Sequence, residues 1–117
     1  MSKQKQTLID LFCGCGGLLY GFIEAGYNVV LGIDLWKDAI VTFENRHNNS
    51  LGLVADLFVE TTKQICKKTG ITEVDLIIGG PPCQGFSVAG KRIIDDKRNK
   101  LHKSFMSFVE FYKPKAF

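Results

Sequence analysis

The stretch "TLIDLFCGCGG", residues 7–17, is a short apolar run that ends in a cluster of glycines. A run of this length is typical of a buried strand, and the glycines allow a tight turn after it. The next segment, "LLYGFIEA", has apolar side chains at helical spacing, and Gly26 follows it. We therefore predict a strand, a glycine turn and a helix that ends at Gly26. The apolar helical positions are Leu18, Leu19, Phe22 and Ile23.

Strands and helices alternate along the rest of the sequence. Further strands are predicted at 28–33, 51–55 and 74–80, and further helices at 36–46, 59–69 and 101–112. Strands joined through helices run parallel, so we predict a doubly wound α/β domain over residues 1–117 with a mostly parallel sheet. Pro114 ends the last helix, and "KAF" resembles the opening of a fifth strand.

The composition excludes several classes of protein. The 117 residues are 45% hydrophobic and 23% charged, which is typical of a globular domain, and no apolar run approaches a membrane span in length. The N-terminal "MSKQKQ" is not followed by the apolar core of a signal peptide, so we expect a cytoplasmic protein without membrane contact. The net charge of +3 is compatible with a polyanionic partner but does not require one.

Four cysteines stand at positions 13, 15, 66 and 83, and in the cytoplasm we expect them to be reduced. The spacing of Cys13 and Cys15 is not that of a zinc knuckle, and no nearby histidine completes a ligand set, so no metal site is predicted. Cys66 lies on the apolar face of a predicted helix and is interpreted as a core residue.

The carboxyl ends of parallel strands are where open α/β sheets bind ligands. Gly14, Gly16 and Gly17 lie at such an end, but Leu19 stands where the dinucleotide-binding fingerprint needs a third glycine. A nucleoside is therefore favoured over a pyrophosphate, with a purely structural turn as the alternative. A nicotinamide oxidoreductase is correspondingly disfavoured.

Asp34 and Asp56 follow the second and third predicted strands. A carboxylate in the position of Asp34 can accept hydrogen bonds from two ribose hydroxyls, and one at Asp56 can take an adenine amino group. Either residue can instead be the N-cap of the helix that follows it.

The fourth strand leads into "GGPPCQGFS", residues 79–87. Pro81 and Pro82 fix their φ angles and lack amide donors, so the strand must stop there and Cys83 is held on a stiff loop at the same edge. Such a thiol is suited to nucleophilic chemistry if its surroundings are positive. The alternative is a rigid turn with an unreactive cysteine.

Three of these stretches together resemble the cytosine carbon-5 DNA methyltransferases. "DLFCGCGGL" resembles their glycine motif, "GIDLW" their ribose-binding motif and "GGPPCQGFS" their Pro-Cys-Gln catalytic loop. "DDKRNKLHKSF" is similar to the weaker segment that follows, and the resemblance covers residues 7–117. It implies a Rossmann-like, S-adenosylmethionine-dependent methyltransferase fold, here ending after about four strands.

The resemblance also implies methyl transfer from S-adenosylmethionine to carbon 5 of cytosine in double-stranded DNA, as in restriction–modification enzymes. A thiolate adds to carbon 6 of a flipped-out base, and carbon 5 then attacks the methyl group. Cys83 would be this nucleophile. The implied cofactor contacts are Phe12, Gly14 and Gly16, Asp34 on the ribose, Leu35 against the adenine, Asp56 on its amino group, Leu57 on its ring face, and Pro82 and Leu101 in the same pocket.

The family continues with a Glu-Asn-Val motif, a Gln-x-Arg-x-Arg motif and a target-recognition region, none of which is present in these 117 residues. The chain is therefore interpreted as the N-terminal part of a catalytic domain, whether a shortened piece or half of a split enzyme with a complementary subunit. We expect it to be inactive alone and to self-associate through an unpaired fourth strand. The alternatives are a transfer-RNA cytosine methyltransferase and a non-catalytic module that binds S-adenosylmethionine.

Overall fold

The structure of the chain is a computed structural model, and it describes residues 5–80 and 97–117. Four parallel strands in this part form one sheet in the order β3-β2-β1-β4. Their bounds are Thr7–Leu11 for β1, Asn28–Asp34 for β2, Leu51–Val54 for β3 and Leu76–Gly79 for β4. The predicted doubly wound α/β fold is confirmed.

Helices cover both faces of the sheet. They are α1 at Leu19–Glu24, α2 at Lys37–Arg46, α3 at Thr62–Thr69 and α4 at Lys97–Tyr112. Thr61 and Gln64 form a capping box at the start of α3, and Gly70 ends that helix in the left-handed conformation, at φ 73°. Within residues 5–80 and 97–117, no helix is both long and apolar enough to cross a membrane.

Two hydrophobic layers form the core, one on each face of the sheet. The layer under α3 and α4 includes Ile9, Leu11, Ile65, Phe108 and Tyr112. The layer under α1 and α2 includes Leu8, Leu19, Ile40 and Phe43. Cys66 packs against the first layer, as predicted. Because successive side chains of a strand point to opposite faces, Asp10 of β1 faces the second layer beside Leu8, and only 1% of it is exposed.

The first helix differs from the prediction. Leu19 is buried, whereas Leu18 and Ile23 are 57% and 40% exposed. The glycine turn delays the start of α1 to Leu19, so the helix has six residues and presents little surface to the sheet. Gly26, at φ 96°, follows its end as expected.

The outer edge of β4 is partly paired. The amide of Lys115 donates to the carbonyl of Asp75 at 2.8 Å, and the amide of Ile77 donates to the carbonyl of Ala116 at 3.3 Å. Ala116 thus forms an isolated parallel bridge with Leu76 beside β4, at the place where the sequence "KAF" resembles the opening of a fifth strand. The expectation of a wholly unpaired β4 is wrong at its first residues, because the chain returns after α4 to cover them.

Candidate functional site

The candidate site lies where β1 and β4 end side by side. The chain leads from β1 to β2 and β3 on one side, and β4 then adds on the other side, which makes this edge the switch point of the sheet. Leu11 pairs with Ile33 of β2 and with Gly79 of β4. A Cβ at Gly79 would lie 2.4 Å from the carbonyl oxygen of Leu11, so glycine is required for the two strands to approach this closely.

The turn after β1, residues 12–17, is built on left-handed backbone. Phe12, Gly14 and Gly16 have φ values of 58°, 56° and 91°. Phe12 is a bulky residue in a conformation that normally favours glycine, which is typical of a functional turn. The amide of Cys13 donates to the carbonyl of Ile33 at 3.0 Å and ties the turn to β2.

Gly14 and Gly16 serve different purposes in this turn. A Cβ at Gly16 would lie 2.6 Å from His47 Nε2 and 3.0 Å from Phe43 Cδ2, so Gly16 is needed for packing against α2. Among residues 5–80 and 97–117, leaving aside Cys13 and Cys15 on either side, no atom lies within 4 Å of the position of a Cβ at Gly14. No described residue beyond its neighbours thus crowds the backbone at Gly14, which leaves room on that side for a ligand to approach the main chain.

Asp34 holds the turn in place with its carboxylate. The amide of Gly14 donates to Asp34 Oδ2 at 2.9 Å, and the amide of Trp36 donates to Oδ1 at 3.0 Å. Asp34 is not the N-cap of α2, because Trp36 occupies that position without a side-chain cap. Each carboxylate oxygen has two acceptor sites, so both oxygens can still accept a ligand hydroxyl.

Asp56 makes a similar local contact at the end of β3. Its Oδ1 accepts from the amide of Phe58 at 2.9 Å. The alternative of Asp56 as the N-cap of α3 is wrong, since Thr61 caps that helix. Within the described part of the chain, no donor is bonded to its other oxygen, Oδ2, which leaves an acceptor available at this edge.

The apolar residues beside these carboxylates differ in exposure. Leu35 and Trp36 are each 66% exposed after β2, and both can cover a flat ligand. Leu57 is only 6% exposed because it packs into the layer under α3 and α4, and Ser104 of α4 donates to its carbonyl at 2.7 Å. No role was predicted for Trp36, although it is a large aromatic residue within the stretch "GIDLW", directly after Asp34 and Leu35.

Two titratable groups lie beneath the turn. Burial, and then the negative charge of Asp34, raises the pKa of the Asp10 carboxyl to about 7. Burial, followed by the charges of Asp10 and Asp34, raises the pKa of the Cys13 thiol to about 12, so Cys13 is protonated and unreactive at neutral pH. Sequence reasoning missed Asp10, and the signal for it was a single acid inside the apolar run "TLIDLF".

The remaining predicted site residues are Pro82, Cys83 and Leu101, in or near residues 81–96, which the structure does not describe. Pro82 and Cys83 fall outside the described residues, so their roles stay predictions. Leu101 lies on α4, and its side chain is outside the described part. The structure therefore brings together the glycine turn, Asp34 and Leu35, with Asp56 at the end of the neighbouring strand β3.

A sequence profile of the C-5 cytosine-specific DNA methylases matches residues 6–117. The chain belongs to this family. It is 45% identical over 113 residues to the type II methyltransferase M.DdeI of Desulfomicrobium norvegicum, covering 95% of this chain and 26% of that relative. It is 38% identical to the type II methyltransferase M.HgiGI of Herpetosiphon aurantiacus, covering 91% of this chain and 82% of the relative.

Solved structures agree with this membership. A protein from E. coli, described as a prophage-encoded DNA modification methyltransferase, superimposes with a TM-score of 0.77 at 36% identity. The match covers 94% of this chain and 30% of that one. The S. pombe Dnmt2 methyltransferase has a TM-score of 0.63 at 21% identity and shares the fold. This chain spans about a quarter of the length of M.DdeI.

Proposed function

We propose that this chain supplies the S-adenosylmethionine site and the nucleophile of a cytoplasmic enzyme that methylates carbon 5 of cytosine in double-stranded DNA. The observation that carries the proposal is the hydrogen bond from the Gly14 amide to Asp34 Oδ2. It joins an open glycine turn to a carboxylate at the edge from which β4 continues toward Cys83. Family membership supports the same chemistry.

The residues present fit the cofactor. The open backbone at Gly14 suits the approach of a small ligand, and Asp34 keeps acceptor sites for two ribose hydroxyls. Leu35 offers exposed apolar surface for a purine, and Asp56 Oδ2 offers an acceptor for its amino group. When bound, S-adenosylmethionine supplies an activated methyl group on a sulfonium cation.

In this proposal the protein contributes nucleophilic catalysis. The Cys83 thiolate forms a bond to carbon 6 of the cytosine, which makes carbon 5 nucleophilic enough to be methylated. Loss of the proton from carbon 5 then breaks the bond to sulfur and restores the aromatic ring. Pro81 and Pro82 restrict the backbone before Cys83, so less freedom is lost when the thiol meets the base.

Calorimetry of S-adenosylmethionine with the 117-residue chain tests the cofactor site. We expect weak binding to the unaltered chain and a loss of affinity of roughly tenfold or more in Asp34→Ala, which removes two charge-assisted acceptors. Asp38→Ala, which removes an exposed acid in the first turn of α2, is the matched control and should bind as the unaltered chain does. Equal affinity in all three proteins would exclude Asp34 from the site.

Trapping on duplex DNA that contains 5-fluorocytosine tests the nucleophile in the full-length enzyme. The fluorine cannot leave as a cation, so a covalent adduct with Cys83 accumulates. Cys83→Ser should form no adduct, whereas Cys15→Ser, which alters an exposed thiol on the glycine turn, should still form it. A second assay of the full-length enzyme compares methyl transfer to transfer RNA and to duplex DNA. Methylation of transfer RNA but not of DNA would show that the substrate is RNA.

A further inference from the structure

Asp10 is a buried acid that the proposed chemistry does not use. It is 1% exposed, and its Oδ2 has no hydrogen-bond partner among the residues that the structure describes. An ionised carboxylate without a partner is costly to bury, so an acid in such a place needs a reason. Asparagine or an apolar residue would fill a similar volume without that cost.

The position of Asp10 links it to the glycine turn. It lies two residues before Phe12, where β1 enters the turn, and its charge acts on the Cys13 thiol at the start of the turn. Asp34 acts on Asp10 from β2 and at the same time holds the Gly14 amide. Two carboxyl groups thus lie close to the same short turn.

The groups around Asp10 do not neutralise it within the described part of the chain. β2 contributes Asp34 and the turn contributes Cys13. The layer under α1 and α2 is otherwise apolar near β1, with His47 at the end of α2 beside Gly16. Asp10 and Asp34 repel each other when both are ionised, and a bound cation would relieve that repulsion.

The ligand proposed above differs in charge before and after the reaction. S-adenosylmethionine carries a positive sulfonium, whereas the product S-adenosylhomocysteine is a neutral thioether. We propose that Asp10 determines specificity for the cationic form: its carboxyl releases a proton to solvent when S-adenosylmethionine binds and takes one up when the methyl group has left. This inference rests on the proposed function of the site.

The proposal has a direct thermodynamic consequence. Because burial and Asp34 raise the pKa of Asp10 to about 7, proton release by Asp10 changes ligand affinity near neutral pH. Affinity for S-adenosylmethionine should rise roughly three- to tenfold from pH 6 to pH 8, since one linked proton changes affinity at most about tenfold per pH unit. Affinity for S-adenosylhomocysteine should change less, which favours release of the product.

Calorimetry in two buffers of different ionisation enthalpy measures the protons released on binding. At pH 7 we expect the 117-residue chain to release roughly half a proton more with S-adenosylmethionine than with S-adenosylhomocysteine. Asp10→Asn should abolish that difference and flatten the pH dependence. The ligands' own amino groups also titrate, near pH 8. Comparison of Asp10→Asn with the unaltered chain subtracts that contribution from the measured proton release. Glu73→Gln, an exposed acid at the opposite end of the sheet, should behave as the unaltered chain.

The outcomes separate the two proposals. If neither ligand binds at any pH, the proposed cofactor site fails and this inference fails with it. If both bind with the same proton release, only the role of Asp10 is overturned. Should Asp10→Asn not fold, the carboxyl carbon shift of Asp10 in the unaltered chain decides by NMR. A titration midpoint that S-adenosylmethionine lowers and S-adenosylhomocysteine leaves in place supports the role, and equal midpoints refute it.

Discussion

The Gly14 amide donates a hydrogen bond of 2.9 Å to Asp34 Oδ2, joining the turn after β1 to the end of β2. The second oxygen of the same carboxylate holds the Trp36 amide just before α2. One side chain therefore fixes two backbone segments at the carboxyl-terminal edge of the sheet. Its structural role and its proposed ribose contact use different acceptor sites, so the two do not compete.

Replacement of Asp34 should lower stability as well as ligand affinity. Asp34→Ala removes the acceptors of two backbone amides, and we expect the free energy of unfolding to fall by about 1–3 kcal/mol. Asp34→Asn keeps one acceptor oxygen and should lose less. Urea denaturation measures both variants, and an unchanged midpoint for Asp34→Ala would contradict the bracing role of this carboxylate.

The two glycines of the turn should differ in their tolerance of alanine. Gly14→Ala and Gly16→Ala each place a Cβ on left-handed backbone, which costs about 1–2 kcal/mol. Only at Gly16 does the added Cβ also meet His47 and Phe43. Thermal unfolding should therefore show a clearly larger loss of stability for Gly16→Ala. Equal losses would mean that His47 does not limit the space at Gly16.

Asp10 should make stability depend on pH in a direction opposite to that of most carboxylates. Its pKa rises from 3.8 in the unfolded chain to about 7 in the fold, so the folded state binds more protons between these values. The stability that the neutral acid provides is complete below pH 3.8 and is lost as the pH rises through 7.

Asp10→Asn removes this dependence. The variant should gain stability relative to the unaltered chain as the pH rises from 5 to 8, by up to about 3 kcal/mol, since two of the pH units between 5 and 8 lie below the folded pKa of about 7. Urea denaturation at pH 5, 6.5 and 8 gives the comparison. A difference between the two proteins that stays constant over this range would show that Asp10 does not titrate there.

The sequence was sufficient for the fold because its apolar runs and glycines are local signals. The β1 run, the Gly26 and Gly70 helix ends and the Pro114 stop all depend on neighbouring residues alone. The bond between Gly14 and Asp34 was not predictable, since it requires the register of β1 against β2. Asp10 was missed because an acid in an apolar run gives no sign of which layer it faces. The length of α1 was overestimated because the glycine turn before it delays the start of the helix to Leu19.

The two cysteines of the glycine turn should react at very different rates. Cys13 is buried and its pKa is raised to about 12, whereas Cys15 is exposed. With iodoacetamide at pH 8 we expect Cys15 to be alkylated at least roughly tenfold faster, because the thiolate is the reactive form. Tandem mass spectrometry locates the label. Comparable labelling of both thiols would contradict the packing of Cys13.

The 117-residue chain by itself should transfer no methyl group to DNA. Its sequence contains no Glu-Asn-Val or Gln-x-Arg-x-Arg motif, and the family resemblance assigns ring protonation to the glutamate of the first. Incubation with labelled S-adenosylmethionine and duplex DNA measures this, with M.DdeI as the positive control. Labelled DNA from the chain alone would show that residues 1–117 suffice for catalysis.

The central place of β1 imposes an order of events on a nascent chain. β1 pairs with β4 through partners such as Leu8 and Leu76, which are 68 positions apart. A ribosome adding about 5–20 residues per second must therefore synthesise the first 79 residues before this half of the sheet can close. Until then the backbone amides and carbonyls on one side of β1 lack the partners that β4 provides, and another strand could pair there instead.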